Sequence, residues 1–128
     1  MIAASELILN PDGSVYHINL KPGQVANDII FVGDQNRVEK ITKHLDSIEF
    51  TTQKREFKTQ TGMYKGKRIT VMSSGIGPDN IDIVMNELDA LVNVDLATRT
   101  VKNELTSLNI VRIGTSGSLQ ADIPVDSF

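Results

Sequence analysis

The chain has 128 residues, no cysteine and a formal net charge of −3, and 40% of its residues are hydrophobic. This length and composition are typical of one soluble globular domain that buries a core without disulfides or a structural metal. The slight acidity disfavours a nucleic-acid partner, the lack of cysteine excludes thiolate chemistry, and the lack of a signal peptide or membrane span predicts a cytoplasmic protein.

Irregular sequence occupies the first 27 residues, where the turn signal at residues 10–13 favours a hairpin or an extended arm. The apolar run DIIFVG at residues 28–33 predicts a strand buried on both faces, as in a parallel sheet. Apolar residues spaced i, i+3, i+7 then predict an amphipathic helix over residues 34–45, capped by Asp34 or Asn36.

Alternating, Thr-rich segments follow this helix. Residues 48–64 and 68–74 predict strands, with a tight turn at residues 65–67 between them. The clearest helical periodicity of the chain covers residues 80–93, and a second helix is predicted over residues 97–106.

Glycine-containing turns end three of the predicted strands. They lie at Gly33, at residues 75–77, and at residues 114–117 after an apolar strand over residues 109–114. In an α/β sheet the loops at the carboxyl ends of the strands form the ligand site. The pattern therefore predicts an α/β domain whose ligand binds beside these turns.

Several common catalytic devices are missing from the sequence. Only three residues separate Gly62 from Gly66, so no P-loop is formed, and there is no G-x-S-x-G elbow. His17 and His44 are too far apart for a helical metal pair, and no metal site is predicted.

Anion binding is the remaining signal. Arg37 follows a glycine at the start of a predicted helix, where free N–H groups attract negative charge. Arg112 lies inside an apolar strand, two residues before a glycine and close to the hydroxyl of Thr115. A guanidinium buried there needs an anion or hydrogen-bond acceptor, either a ligand or an internal carboxylate. Taken singly, Arg37 is better explained as a solvated residue at a helix start.

Four motifs in this order resemble the nucleoside phosphorylase family, particularly the uridine phosphorylases. They are FVGDQNRVEKI at residues 31–41, KREF at residues 54–57, SGIG at residues 74–77 and RIGTSG at residues 112–117. The resemblance extends over most of the chain from His17 onward. It implies a mixed, mostly parallel twisted sheet flanked by helices, with residues 1–128 forming the N-terminal portion of a single α/β domain. Family members are roughly twice as long, so the chain resembles a fragment.

The family cleaves a nucleoside with inorganic phosphate, giving a free base and ribose 1-phosphate. The resemblance implies that phosphate is held by four residues, of which the last two are catalytic: Gly33, Arg37, Arg112 and Thr115. It also implies that Arg55 contacts the phosphate of a neighbouring subunit, and that His17 contacts the ribose 5′-hydroxyl in that neighbour's site. A homo-oligomer, either a dimer or a trimer of dimers, is therefore expected.

No organic cofactor is implied by the resemblance, since inorganic phosphate is the co-substrate. Some bacterial members hold a monovalent cation near positions that match Glu56, Ile76 and Asn80. This chain has Asn80 where a serine is common in those relatives, which disfavours the cation.

Two other classes of function remain open at this stage. One is a related enzyme, either a purine nucleoside phosphorylase or a nucleosidase that uses water. The other is a non-catalytic module that binds phosphate or a nucleoside. A nucleosidase has no use for a phosphate site, so the presence of Arg37, Arg55 and Arg112 favours phosphorolysis of a nucleoside, with uridine as the expected substrate.

Overall fold

The computed structural model describes residues 1–128. The strands are β1 (Asp28–Val32), β2 (Ser47–Lys54), β3 (Phe57–Tyr64), β4 (Lys67–Ser73), β5 (Val94–Asp95), β6 (Thr100–Val101) and β7 (Asn109–Ile113). The helices are α1 (Asn36–Thr42) and α2 (Pro78–Asn93). This confirms the predicted α/β architecture, and neither helix is long and apolar enough to cross a membrane.

Five strands form one mixed sheet in the order β2-β3-β4-β1-β7, while β5 pairs only with β6. Strand β1 is parallel to both of its neighbours, β4 and β7, whereas β2-β3 and β3-β4 are antiparallel pairs. Ile29, Phe31 and Val32 of β1 are buried, as expected for a central strand with parallel neighbours. This order places the carboxyl ends of β4, β1 and β7 side by side.

The larger hydrophobic core lies between one face of the sheet and helix α2. Val84, Leu88 and Leu91 follow one side of α2, and all three are buried. The N-terminal segment completes this core, and its Val15 and Ile18 are fully buried. This segment is therefore a packed part of the domain and not an extended arm.

A smaller core lies on the opposite face, where Val38 of α1 packs with Val32 and Val71. Helix α1 is shorter than the sequence predicts because it ends at Thr42, and residues 43–44 form a turn.

The start of α1 depends on Asp34. Its carboxylate accepts the backbone N–H of Asn36 at 2.9 Å, while Gln35 at the N-cap position makes no side-chain cap. One of the two predicted capping residues, Asp34, thus supplies an acceptor for a free N–H group of the first turn.

The helix predicted over residues 97–106 is wrong. The chain instead forms the short hairpin β5-β6, and one carboxylate oxygen of Asp95 accepts the backbone N–H groups of Ala97 and Thr98 at 2.9 and 3.1 Å. Such local side-chain bonds compete with helical hydrogen bonds, so they favour a turn.

Strand β7 lies at the edge of the sheet. The sequence predicts a buried strand here, but Val111 is 61% exposed and Ile113 is 47% exposed. Only β1 pairs with β7, and no helix covers these two side chains. The apolar composition of β7 is therefore correct for a strand of the sheet, and Val111 and Ile113 are exposed in the 128 residues described.

Candidate active site

A cavity of about 620 Å³ lies at the carboxyl ends of β1, β4 and β7. The three glycine-containing turns that the sequence identifies meet there because their strands are neighbours in the sheet. The lining includes Gly33, Arg37, Glu56, Gly75, Arg112 and Thr115. Four predicted phosphate-binding residues, from two separate segments of the chain, thus share one cavity.

Arg112 lies on β7 directly opposite Phe31 of β1. The sequence predicts a buried guanidinium, but the residue is exposed to the cavity. A Cβ atom added to Gly114 would lie 2.3 Å from Nη1 of Arg112, and one added to Gly33 would lie 3.8 Å from Nη2. The guanidinium therefore lies against two glycine backbones, where the absence of side chains leaves room for it.

The five arginines of the chain fall into two groups. Arg68 forms an ion pair with Glu49 at 2.8 Å, and Arg99 donates to the carbonyl oxygen of Leu7. The guanidinium groups of the other three have no hydrogen bond or ion pair to the protein: Arg37, Arg55 and Arg112. An internal carboxylate, which was the structural alternative for Arg112, is thus not what the arginine meets. Two unpaired guanidinium groups in one cavity favour an anionic ligand.

Backbone hydrogen bonds fix the turns around the cavity. The N–H of Gly75 donates to the carbonyl oxygen of Gly33 at 3.0 Å, and the N–H of Ser74 donates to that of Val32 at 2.9 Å. Gly75 has φ +69°, and a Cβ atom there would lie 2.6 Å from Cγ of Glu56. The β4-α2 turn therefore requires glycine both for its backbone angle and for the close approach of Glu56.

The residues that match the family's cation position do lie together. However, the Asn80 amide donates to the carboxylate of Glu56 at 2.8 Å and to the carbonyl oxygen of Ile76 at 3.1 Å. Both oxygens thus accept from the one amide nitrogen of Asn80, which is a hydrogen-bond donor and not a cation ligand.

Arg55 and His17 lie outside this cavity. Arg55 is exposed in the two-residue β2-β3 turn, where it has φ +53°, a conformation that costs a non-glycine residue on the order of 1 kcal/mol. The neighbouring Lys54 donates through Nζ to the carbonyl oxygen of Tyr16, the residue before His17. The Lys54 contact therefore ties the segment that carries Arg55 to the segment that carries His17.

His17 lines a second cavity of about 360 Å³, between the N-terminal segment and helix α2. Its Nδ1 lies 2.7 Å from Oε1 of Glu87, and its backbone N–H lies 3.0 Å from both carboxylate oxygens. The Glu87 carboxylate also accepts the N–H of Ile18 at 2.9 Å. His44, by contrast, is exposed, as the sequence predicts.

Glu87 is a residue that the sequence analysis missed. It occupies the inner face of α2 beside Leu88 and is only 8% exposed. An acidic residue in the apolar stripe of an amphipathic helix needs buried hydrogen-bond donors, and this is the signal that could have identified it.

Comparison with known proteins identifies the family of the chain. The family model of the phosphorylase superfamily matches residues 28–128. A uridine phosphorylase of Thermococcus kodakarensis is 35% identical over 89% of the chain and 36% of its own length. A DeoD-type purine nucleoside phosphorylase of Listeria welshimeri is 34% identical over 85% of the chain and 42% of its own length.

Solved structures show the same relationship. A nucleoside phosphorylase of Trypanosoma brucei with uridine phosphorylase activity has a TM-score of 0.82 and 36% identity, covering 92% of this chain and 41% of its own. A uridine phosphorylase of Phytophthora capsici has a TM-score of 0.77 and 31% identity, covering 96% and 38%. The chain thus spans roughly two fifths of the length of these relatives. It belongs to the phosphorylase superfamily, and the relatives it matches are nucleoside phosphorylases.

Proposed function

We propose that the chain forms the phosphate-binding part of an enzyme that cleaves a nucleoside, uridine in the first instance, with inorganic phosphate. The products are the free base and ribose 1-phosphate. The observation that carries the proposal is the pair of unpaired arginines, Arg37 and Arg112, in one cavity walled by glycine backbone. The likeness to uridine phosphorylases supports uridine as the substrate.

The site residues take distinct roles in this proposal. The guanidinium groups of Arg37 and Arg112 bind phosphate oxygens with paired N–H donors. Thr115 lines the same cavity and donates its hydroxyl, and Gly33 lets the backbone approach the anion closely. Arg112 and Thr115, on and beside the last strand, act as the catalytic residues because they hold the nucleophile during the reaction.

Positioning and electrostatics supply the catalysis. Phosphate attacks the anomeric carbon while the ribose develops positive charge and the base leaves with the bonding electrons. Fixed donors hold the phosphate in line and offset its charge, which lowers the barrier without a covalent enzyme intermediate or an organic cofactor.

Arg55 and His17 serve the site of a neighbouring subunit in this proposal, so the active unit is a homo-oligomer. Neither residue lines the cavity that holds Arg37 and Arg112, and the Arg55 guanidinium has no partner within its own chain. The contact of Lys54 with the Tyr16 carbonyl links the segments that carry the two residues and supports this role. A neighbour could receive both residues from these linked segments, with Arg55 at its phosphate and His17 at the ribose 5′-hydroxyl.

Uracil release from uridine tests the proposal, measured by absorbance with and without phosphate. Release that depends on phosphate and yields ribose 1-phosphate is the expected result. Equal release without phosphate would identify a nucleosidase and contradict the role of the arginines. Saturable phosphate binding with no release from any nucleoside would indicate a binding module instead.

Purine nucleoside phosphorolysis is the second candidate. The Listeria purine enzyme is 34% identical to the chain, close to the 35% of the Thermococcus uridine enzyme. Assaying inosine beside uridine distinguishes the purine enzyme from the uridine enzyme. If hypoxanthine is released faster than uracil, the substrate is a purine nucleoside, and the assignment of the phosphate site is unchanged.

A further inference from the structure

We propose that Glu87 is a positioning residue that holds the His17 imidazole with its proton on Nδ1 and leaves Nε2 as a hydrogen-bond acceptor for a ligand hydroxyl. The ligand class is a nucleoside with a free 5′-hydroxyl, bound in the neighbouring subunit's site. The last point rests on the proposed function, whereas the role of Glu87 rests on the contacts within this chain.

The Glu87 carboxylate is surrounded by donors. Its two oxygens lie within 3.0 Å of the backbone N–H groups of His17 and Ile18, and Oε1 lies 2.7 Å from Nδ1 of His17. A carboxylate is an acceptor, so Nδ1 carries the proton in this contact and Nε2 keeps its lone pair in the neutral ring.

The carboxylate also has little freedom to move. Glu87 is 8% exposed on the inner face of α2, between buried Val84 and Leu91 along the same helix face. The same carboxylate therefore fixes the backbone of the His17 segment and the orientation of its ring.

The rest of the imidazole is held by aromatic contact while its outer edge stays accessible. The rings of Tyr16 and His17 are 4.9 Å apart at an interplanar angle of 88°, and Lys54 lies 3.9 Å from the centre of the Tyr16 ring. The His17 side chain is 27% exposed, and Nε2 has no partner in the protein. An oriented acceptor without a protein partner, at the mouth of a cavity, is suited to a hydroxyl group of a ligand.

Nuclear magnetic resonance of the His17 ring nitrogens tests the tautomer directly. In spectra recorded at pH 8, we expect the neutral ring to carry its proton on Nδ1. Glu87→Gln should shift the ring towards the other tautomer, because the amide nitrogen of Gln donates where the carboxylate accepts. Asp82→Asn is the matched control: it removes a carboxylate from the same cavity without touching His17, so it should leave the tautomer unchanged.

A proton on Nε2 in the unaltered protein, or a ring that stays protonated on both nitrogens at pH 8, would overturn the inference. So would a Glu87→Gln spectrum identical to that of the unaltered protein. This measurement needs no turnover, so it decides the role of Glu87 even if the proposed reaction fails.

Substrate comparison tests the hydroxyl. We expect kcat/KM to be about tenfold higher for uridine than for 5′-deoxyuridine, which lacks the acceptor's partner. Glu87→Gln should bring this ratio close to one while the rate with 5′-deoxyuridine stays nearly constant, and Asp82→Asn should keep the ratio. If Glu87→Gln lowers both rates equally and keeps the ratio, Glu87 has only a structural role and the inference is wrong. Loss of phosphorolysis with every nucleoside, in the unaltered protein, would instead refute the proposed function.

Discussion

Two cavities of the molecule differ in whether their charged groups have partners within the chain. In the cavity at the carboxyl ends of β1, β4 and β7, Arg37 and Arg112 have no protein partner and lie beside bare glycine backbone. In the second cavity, the Glu87 carboxylate has both oxygens occupied by three N–H groups of the N-terminal segment. The arginines of the first cavity are thus free to bind an anionic ligand, whereas the carboxylate in the second cavity binds the N-terminal segment to helix α2.

This difference predicts that substitutions in the first cavity affect ligand binding and that substitution of Glu87 affects the stability of the fold. Removing an unpaired arginine leaves no buried group without a partner, so the fold should keep its stability while binding is lost. Removing Glu87 leaves buried donors unsatisfied, so stability should fall as well. Substitutions in the two cavities should therefore have different profiles.

The largest expected effect is recovery of activity on mixing subunits. Arg37→Ala and Arg55→Ala should each inactivate the enzyme, the first within its own site and the second in its neighbour's site. After subunit exchange, roughly a quarter of the wild-type activity should return, because half of randomly formed dimers are mixed and one of their two sites is intact. No recovery after demonstrated exchange would place both arginines in one chain's site.

Arg112→Ala should raise the free energy of the transition state for phosphorolysis by about 2–4 kcal/mol, because a fixed charged donor to the phosphate is lost. The value of kcat/KM should fall accordingly. Arg112→Lys should lose less, since a point charge remains but the bidentate geometry does not. Urea unfolding of both variants should show a free energy of unfolding within about 0.5 kcal/mol of wild type. Unchanged kcat/KM in a folded Arg112→Ala protein would contradict the assignment.

Glu87→Ala should have the opposite profile and lower the free energy of unfolding by about 2–3 kcal/mol, because the His17 and Ile18 N–H groups lose their acceptor. Urea unfolding measures this change. Asp82→Ala is the control: this exposed carboxylate bonds only the nearby Asn86 side chain, so the cost should stay within about 0.5 kcal/mol. Equal costs for the two variants would remove the distinction between the cavities.

Gly114→Ala should weaken phosphate binding by about tenfold with little change in stability, since the new methyl group displaces the flexible end of the Arg112 side chain. Gly117→Ala is the matched control, because a Cβ atom there meets nothing within 4 Å. Titration calorimetry with phosphate measures both, and equal affinity in the two variants would show that the position of the guanidinium is unimportant.

The smallest effect concerns a carboxylate in neither cavity. Hydrogen bonds from Ser14 lower the pKa of Asp12 from 3.8 to about 2. Because the folded-state pKa is below the unfolded one, the stabilisation is present above about pH 4 and is lost as the pH falls towards 2. The thermal midpoint of unfolding should therefore fall less between about pH 4 and pH 2 in Asp12→Asn than in wild type. An equal fall in the two proteins would contradict the assignment.

The sequence predicts the first cavity better than the second because of how each is encoded. Gly33, Arg37 and Arg112 belong to short motifs next to strongly apolar strands, and the edge at which those strands end follows from the α/β pattern. The contact between His17 and Glu87 joins residues 70 positions apart, and no local pattern encodes it. Only the three-dimensional packing of the N-terminal segment on α2 brings them together.

Where the predicted local elements differ from the structure, the reason is again an interaction that a local sequence pattern does not encode. Asp95 interrupts the predicted helix over residues 97–106 through side-chain bonds that periodicity does not detect. The two-residue turn at Arg55 lies inside a continuous Thr-rich segment, and its positive φ at a non-glycine residue gives no compositional signal. Strand β7 has the apolar composition of a central strand but pairs only with β1 in the 128 residues described, and composition alone does not distinguish these two positions in a sheet.

Titration of the protein with inorganic phosphate, measured by calorimetry, tests most directly the central claim that the first cavity binds phosphate. Wild type should bind phosphate saturably, and Arg37→Ala and Arg112→Ala should each weaken binding by at least about tenfold. Arg68→Ala is the matched control, because this arginine is already paired with Glu49, and its affinity should equal that of wild type. Wild-type affinity in Arg112→Ala, or an equal loss in Arg68→Ala, would contradict the assignment of the first cavity as the phosphate site.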